Sequence, residues 1–142
     1  MLNRARPGLL TALCFLIISI FGFAAGPVEA QKQPLLNSFL SDIPPAELMP
    51  GAQSYGPMNP DVPVVPIMGS NGIVGYAFLT SDFVGTTGYS GKPIHVVAAI
   101  DNDAVLAGVK LVKHSEPIVL IGIPNSKMIA LTESYKGLDL KV

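Results

Sequence analysis

The stretch that decides the fold is IHVVAAIDNDAVLAGVKLVK, residues 94–113. Its first part, residues 94–100, is a nearly continuous apolar run, which is typical of a buried strand inside a sheet. The polar triplet DND at residues 101–103 indicates a tight turn. Residues 105–113 then alternate between two faces. The pattern predicts a hairpin that supplies a central strand and its antiparallel partner.

Two more strands are predicted before this hairpin. Residues 73–81 are rich in aromatic and β-branched side chains, and the strong turn signal SNG precedes them at residues 70–72. Residues 62–68 alternate weakly and contain prolines, so they are expected at an edge of the sheet. Residues 51–60 are predicted to be a turn-rich connection, and residues 82–93 a glycine-containing loop.

A helix is predicted after the hairpin, beginning with a cap at Asn125 or Ser126 and running to about Lys136. Gly137 lies where a helix-ending glycine is expected. Residues 138–142 have the pattern of the start of a further strand. One face of the predicted helix is apolar and carries Met128, Leu131 and Tyr135.

Residues 31–61 are rich in proline, which prevents long regular elements. Short helices are still expected at residues 35–40 and 45–49, and their apolar side chains predict a collar that packs onto the sheet. The predicted fold class is therefore α+β, an antiparallel sheet with short flanking helices.

Residues 1–30 have the pattern of an export segment. Arg4 and Arg6 precede an apolar run at residues 9–23, and Val28-Glu29-Ala30 is a small-x-Ala cleavage site. The segment is either a signal peptide cleaved after Ala30 or a retained membrane anchor. Both alternatives predict that the remaining chain lies outside the cytoplasm, in the periplasm, and is membrane-associated if the leader stays.

Composition excludes several function classes for residues 31–142. They contain seven lysines and nine carboxylates, with no arginine and no cysteine. Disulfides and thiolate-bound metal centres are excluded. A slightly acidic chain is also poorly suited to binding nucleic acid.

Candidate chemical groups are few. The loop at residues 82–93 lacks the spacing of a triphosphate-binding loop, because Thr86 and Pro93 stand at two required positions. His114 and Glu116 could perform acid–base work or could be structural, and His95 is interpreted as structural. Two isolated histidines do not form a metal-ligand set. We predict no catalytic residue, no metal site and no enzymatic activity of the chain's own.

Four segments of the sequence resemble one family. They are PPAELMPGA at residues 44–52, GYAFLTSDFV at residues 75–84, TTGYSGKPI at residues 86–94 and HSEPIVLIGIP at residues 114–124. These segments are similar to the amino-terminal, extracytoplasmic FMN domain of NosR/NirI-type regulators of nitrous-oxide reductase expression. The resemblance covers residues 40–137 and implies an FMN-binding electron-transfer module at residues 62–142, after the leader and the collar.

The resemblance also implies a cofactor site. The wider superfamily includes the flavin-carrying subunits of the Rnf and sodium-pumping quinone reductase complexes, in which the segments matching residues 88–91 and 114–117 contact FMN. In that reading the backbone of the turn approaches the ligand, and residues 117–121 supply an apolar wall. The implied cofactor-binding residues are Tyr89, Ser90, Gly91, His114, Glu116, Pro117 and Ile118.

The sequence departs from the family pattern in one respect. It contains no serine-glycine-alanine-threonine motif, whose threonine carries the flavin in relatives, so covalent attachment within this chain is not expected. The family's membrane helices and iron–sulfur cysteines are also missing. The resemblance thus implies an amino-terminal fragment, partially forming the FMN domain. Expected partners are flavin, the membrane and iron–sulfur part of a full-length homologue, and proteins of the nitrous-oxide reductase system.

Two other functions remain open from the sequence. The chain could be a protein-interaction domain that keeps the fold without flavin. Direct transcription control is suggested by the regulatory role of the family, but export and the arginine-free surface argue against contact with DNA.

Overall fold

The predicted hairpin forms the second half of the sheet. The computed structural model describes residues 34–85, 87–117 and 121–141. Strand β4, His95–Asp101, pairs antiparallel with strand β5, Leu106–Lys113. In the turn between them, Asp101 Oδ1 accepts the N–H groups of Asp103 and Val105 at 2.8 and 2.9 Å. The predicted leader, residues 1–30, lies outside the described residues.

In the described part of the chain the sheet contains five strands in sequence order, and all neighbouring pairs are antiparallel. The first three are β1, Ser54–Tyr55, β2, Val64–Gly69, and β3, Gly72–Leu79. A short helical turn follows directly on β3. The α+β prediction is confirmed.

The prediction that residues 62–68 form an edge strand is wrong. Strand β1 pairs with β2 on the side away from β3, so β2 lies inside the sheet. Pro66 is tolerated there because its carbonyl accepts the N–H of Gly56 at 2.8 Å, on the β1 side. The N–H that proline lacks would point to that same side, where pairing is short, and its loss leaves the ladder with β3 intact.

The helices of the described chain are short. They are α1, Leu36–Leu40, α2, Pro45–Leu48, α3, Thr80–Phe83, and α4, Asn125–Glu133. The first two match the predicted collar helices. Helix α3 was not predicted, and it ends strand β3 two residues earlier than the sequence pattern suggested.

Helix α4 differs from its prediction in capping and in packing. Its capping position is Pro124, and no side chain caps it. Leu131 and Tyr135, which the pattern placed together on one apolar face, are exposed. Gly137 does end the helical region with φ +85°, and the following tail pairs with the start of β5 through the bridge between Val105 and Asp139. Within the described residues the tail forms this single bridge and no strand, so the predicted start of a strand is present only as one pairing.

The collar and one face of the sheet share a single core. No helix of the described residues is both long and apolar enough to cross a bilayer. Gly108 allows the collar to approach closely, because a Cβ there would overlap the backbone of Leu48. The core residues are Leu36, Leu40, Ile43, Leu48, Met49, Ala52, Val65, Ile67, Ala77, Leu79, Val97 and Ala99.

Asp82 fixes the start of the collar. Its two carboxylate oxygens accept the N–H groups of Leu35 and Leu36, each at 3.2 Å. Helix α1 has no side-chain cap of its own, so a residue from helix α3 satisfies two of its free donors.

Tyr55 also joins the collar to the sheet, and its titration is predictable. Its hydroxyl donates to the carbonyl of Ile43 at 2.9 Å. Burial, and then the negative charge of Glu47, raises the pKa of Tyr55 to about 12. Because the folded-state pKa exceeds the ordinary value of 10.0, this phenol contributes stability that is complete below pH 10 and is lost as the pH rises towards 12.

We therefore expect one phenol to ionise near pH 12 when phenolate absorbance is followed. Tyr55→Phe should remove this late transition, whereas Tyr135→Phe, at an exposed position, should leave it in place. Loss of the late transition in Tyr135→Phe alone would contradict the assignment.

Candidate functional site

The two predicted site segments leave the sheet at the same end. His95 at the start of β4 pairs with Lys113 at the end of β5. Because antiparallel neighbours run in opposite directions, the loop before β4 and the segment after β5 emerge side by side.

Residues 87–93 form a small hairpin of their own. Thr87 pairs with Pro93, and the turn is closed by the N–H of Gly91 donating to the carbonyl of Gly88 at 3.0 Å. Gly88 N–H donates to the carbonyl of Lys92, also at 3.0 Å. Gly91 has φ +71°, a left-handed conformation that glycine adopts without strain. The glycine spacing therefore defines the turn, here called the glycine turn, residues 88–91.

Glu116 locks the glycine turn to the end of β5. Its Oε2 accepts the N–H of Tyr89, and its Oε1 accepts the hydroxyl of Ser90, both at 2.9 Å. The side chain is only 9% exposed. A Cβ on Gly88 would overlap this carboxylate, so the absence of a side chain at residue 88 makes room for it. Sequence reasoning named Glu116 but did not foresee the role of Gly88.

His114 positions the same bend. Its Nδ1 accepts the N–H of Glu116 at 3.2 Å, and its Nε2 lies 2.7 Å from Oδ1 of Asn125. An accepting Nδ1 carries no hydrogen, so the neutral ring has its hydrogen on Nε2 and donates it to Asn125. Both ring nitrogens therefore contact protein groups, which favours the structural alternative over acid–base work. Asn125, which begins helix α4, was not among the predicted site residues.

Two other predicted residues lie at the margins of this arrangement. Pro117 follows Glu116 directly and is half-buried, whereas Ile118 lies outside the described residues. His95 contacts other groups: Ser81 Oγ lies 2.7 Å from its Nδ1, and the ring of Phe39 has its centroid 5.6 Å away. These contacts fit the structural interpretation of His95.

Tyr89 is the exposed tip of the site. Its side chain is 90% exposed, while its backbone N–H is held by Glu116. The turn that carries this ring is held by the hydrogen bonds to Glu116 and between its own backbone groups. An exposed aromatic ring on such a turn is suited to stacking against a planar ligand or a partner side chain.

An apolar depression of about 240 Å³ lies on the face of the sheet opposite the core. It is lined by Val64, Phe78, Phe83 and Ile100, with the rings of Phe78 and Phe83 edge to face at 5.8 Å. The sequence carried a signal for it, because β2, β3 and β4 have apolar residues at alternate positions on both faces. No polar group lines this depression.

The described residues contain no group of three or more histidine, cysteine, aspartate or glutamate side chains arranged to hold a metal ion. Within the same ranges, every buried side-chain nitrogen or oxygen has a hydrogen-bond partner. The polar part of the site is thus internally satisfied.

Relatives of the chain are found among characterised proteins. It is 35% identical over 92 residues to the regulatory protein NosR of Pseudomonas aeruginosa, covering 65% of this chain and 13% of NosR. It is 39% identical over 61 residues to the protein NirI of Paracoccus denitrificans, covering 43% and 9%. The chain is thus similar to NosR and NirI proteins.

A second NosR, from Stutzerimonas stutzeri, is 29% identical over 126 residues, which cover 89% of this chain and 17% of that relative. The chain therefore spans less than a fifth of the length of each of these relatives. No protein-family model matches it, and no solved structure does. Likeness of its fold to FMN-binding domains stays a prediction.

A prediction follows from the contact between Gly88 and Glu116. Gly88→Ala should expel the carboxylate and lower the free energy of unfolding by about 2 kcal/mol, because two buried hydrogen bonds are lost. Urea unfolding measures this loss. Gly85→Ala is the matched control, since a Cβ at residue 85 meets nothing within 4 Å.

A double-mutant cycle identifies the cause. If Gly88→Ala acts by displacing Glu116, then Gly88→Ala combined with Glu116→Ala should cost little more than either change alone. Additive losses would show that the alanine disturbs something other than the carboxylate.

Proposed function

We propose that the chain is a flavin-binding, electron-transfer module that acts outside the cytoplasm in a regulatory system for nitrous-oxide reductase expression. Two of its relatives bear the name regulatory protein NosR. The single observation that carries the flavin assignment is the meeting of the glycine turn with the bend at residues 114–116, through the carboxylate of Glu116. These are the two segments whose counterparts contact flavin in the resembling proteins.

The residues present suit the ring system of a flavin. Tyr89 offers an exposed aromatic face, and Ser90 and Gly91 hold the turn that presents it. His114 and Glu116 fix the second wall of the site through their hydrogen bonds, and Pro117 adds apolar surface. A bound flavin would supply electron transfer, which these side chains alone do not provide.

Direct titration tests the proposal. Purified full-length chain should bind FMN with quenching of flavin fluorescence and acquire a yellow colour that survives gel filtration. Tyr89→Phe keeps the aromatic ring and should retain binding, whereas Tyr89→Ala should weaken it about tenfold, the loss of roughly one stacking contact. Protein that leaves gel filtration colourless after incubation with millimolar FMN, and that does not quench flavin fluorescence, is not a flavin protein.

A second candidate function is protein interaction without flavin. The described part of the last third of the chain exposes many large apolar side chains, more than isolated surface residues require. The exposed set is Ile121, Ile123, Ile129, Leu131, Tyr135, Leu138 and Leu140.

The two candidates separate by mutation. Under the interaction hypothesis, Leu131→Asp should weaken binding of the chain to a purified full-length NosR, and Tyr89→Ala should leave it unchanged. Under the flavin hypothesis, Tyr89→Ala alters flavin binding, and Leu131→Asp leaves flavin binding unchanged.

A further inference from the structure

We propose that Glu116 makes the glycine turn reject a phosphate group, so that the site selects a flavin by its ring system and not by its phosphate. This inference rests on the proposed flavin-binding function and names the residue that determines its specificity.

Most of the donors in and beside the glycine turn are already used within the protein. The N–H of Gly88 donates to the carbonyl of Lys92, and the N–H of Gly91 donates to the carbonyl of Gly88. The N–H of Lys92 donates to Ser90 Oγ at 3.2 Å. The remaining donors in this set, Tyr89 N–H and Ser90 Oγ–H, go to Glu116. A phosphate could reach these last two only by replacing the carboxylate.

The charge of Glu116 opposes such a replacement. Both of its oxygens accept hydrogen bonds and neither donates, which is the bonding pattern of an ionised carboxylate. No salt bridge of the described residues neutralises it. A phosphate placed beside it would meet a like charge in a partly desolvated position, where the repulsion between the two charges is stronger than in bulk water. Glycine-rich turns often cradle phosphate, but this one already holds an anion of its own.

What the turn leaves available is an aromatic surface. The Tyr89 ring is exposed on a backbone that Glu116 holds in place. The chemistry that this arrangement recognises is a planar, uncharged ring system, and a flavin phosphate lies away from the turn.

The test compares FMN, riboflavin and inorganic phosphate on the full-length chain. The wild type should bind FMN and riboflavin with dissociation constants within about twofold of each other, and phosphate should not compete. Glu116→Gln removes the charge but keeps the shape, and the Ser90 hydroxyl can rotate to accept from the new amide. It should improve FMN binding about tenfold relative to riboflavin, because a phosphate that displaces the neutral amide from the turn no longer has to displace a like charge.

Glu133→Gln is the control, since it makes the same charge change at the far end of helix α4 from Asn125. It should leave the FMN-to-riboflavin ratio unchanged. Wild-type protein that binds FMN tenfold tighter than riboflavin overturns the inference and leaves flavin binding intact. The wild-type ratio decides this even if Glu116→Gln does not fold. Absence of binding by both flavins overturns the proposed function itself.

Discussion

Leu36→Ala is expected to lower the free energy of unfolding by about 3 kcal/mol, since it removes a fully buried side chain from the core. Leu36 is the first residue of helix α1 in the collar, 28 residues before strand β2 begins, and is 0% exposed. The loss should appear in urea unfolding as a lower midpoint with an unchanged slope.

The neighbouring residue provides the control. Leu35 is 37% exposed, and its N–H bond to Asp82 is made by the backbone. Leu35→Ala should therefore change the stability by less than about 1 kcal/mol. Equal losses in the two variants would mean that the collar does not belong to the folded core.

The second large effect is expected at Gly108. Gly108→Ala should cost about 3 kcal/mol, because the new methyl group meets the backbone of Leu48, which cannot move aside as a flexible side chain can. Helix α2 would have to lift from strand β5, and the ion pair between Glu47 and Lys110 would be disturbed with it.

Thermal unfolding followed by circular dichroism measures this change. Gly85→Ala serves as the reference, because it adds the same methyl group where nothing lies within 4 Å. If Gly108→Ala proved as stable as Gly85→Ala, the close approach of the collar to β5 would be incorrect.

The hairpin at residues 94–113 was predictable because burial imposes its own pattern on a strand. Val97 and Ala99 are buried inside the sheet, and a run of apolar residues records that environment directly. The collar helices were predictable for a different reason: prolines limit where a helix can begin, and Pro45 begins α2.

Elements without a periodic signal were missed. Strand β1 has two residues, too few for alternation to be visible. Without it, the prolines of residues 62–68 indicated an edge strand, which is wrong because β1 pairs with β2. Helix α4 has an apolar pattern whose side chains are largely exposed, so periodicity predicted the helix but not its packing.

The candidate site was also predictable only in part. Gly88 and Gly91 indicated a turn from the sequence, and His114 and Glu116 stood out as possible acid–base residues before the family resemblance placed them beside a flavin. That Glu116 takes the donors of the turn could not be foreseen, because the residues are 26 and 27 positions apart and meet only through strand pairing. The same holds for the capping of α1 by Asp82, 46 residues away from Leu36.

The order of the strands has a consequence for folding kinetics. Each strand pairs with its neighbour in sequence, so the sheet can assemble by short loop closures, which are fast. The collar is the exception, since Glu47 reaches Lys110 across 63 residues. Residues 36–48 should therefore become resistant to proteolysis last during refolding, although they are the earliest of the described domain to leave the ribosome.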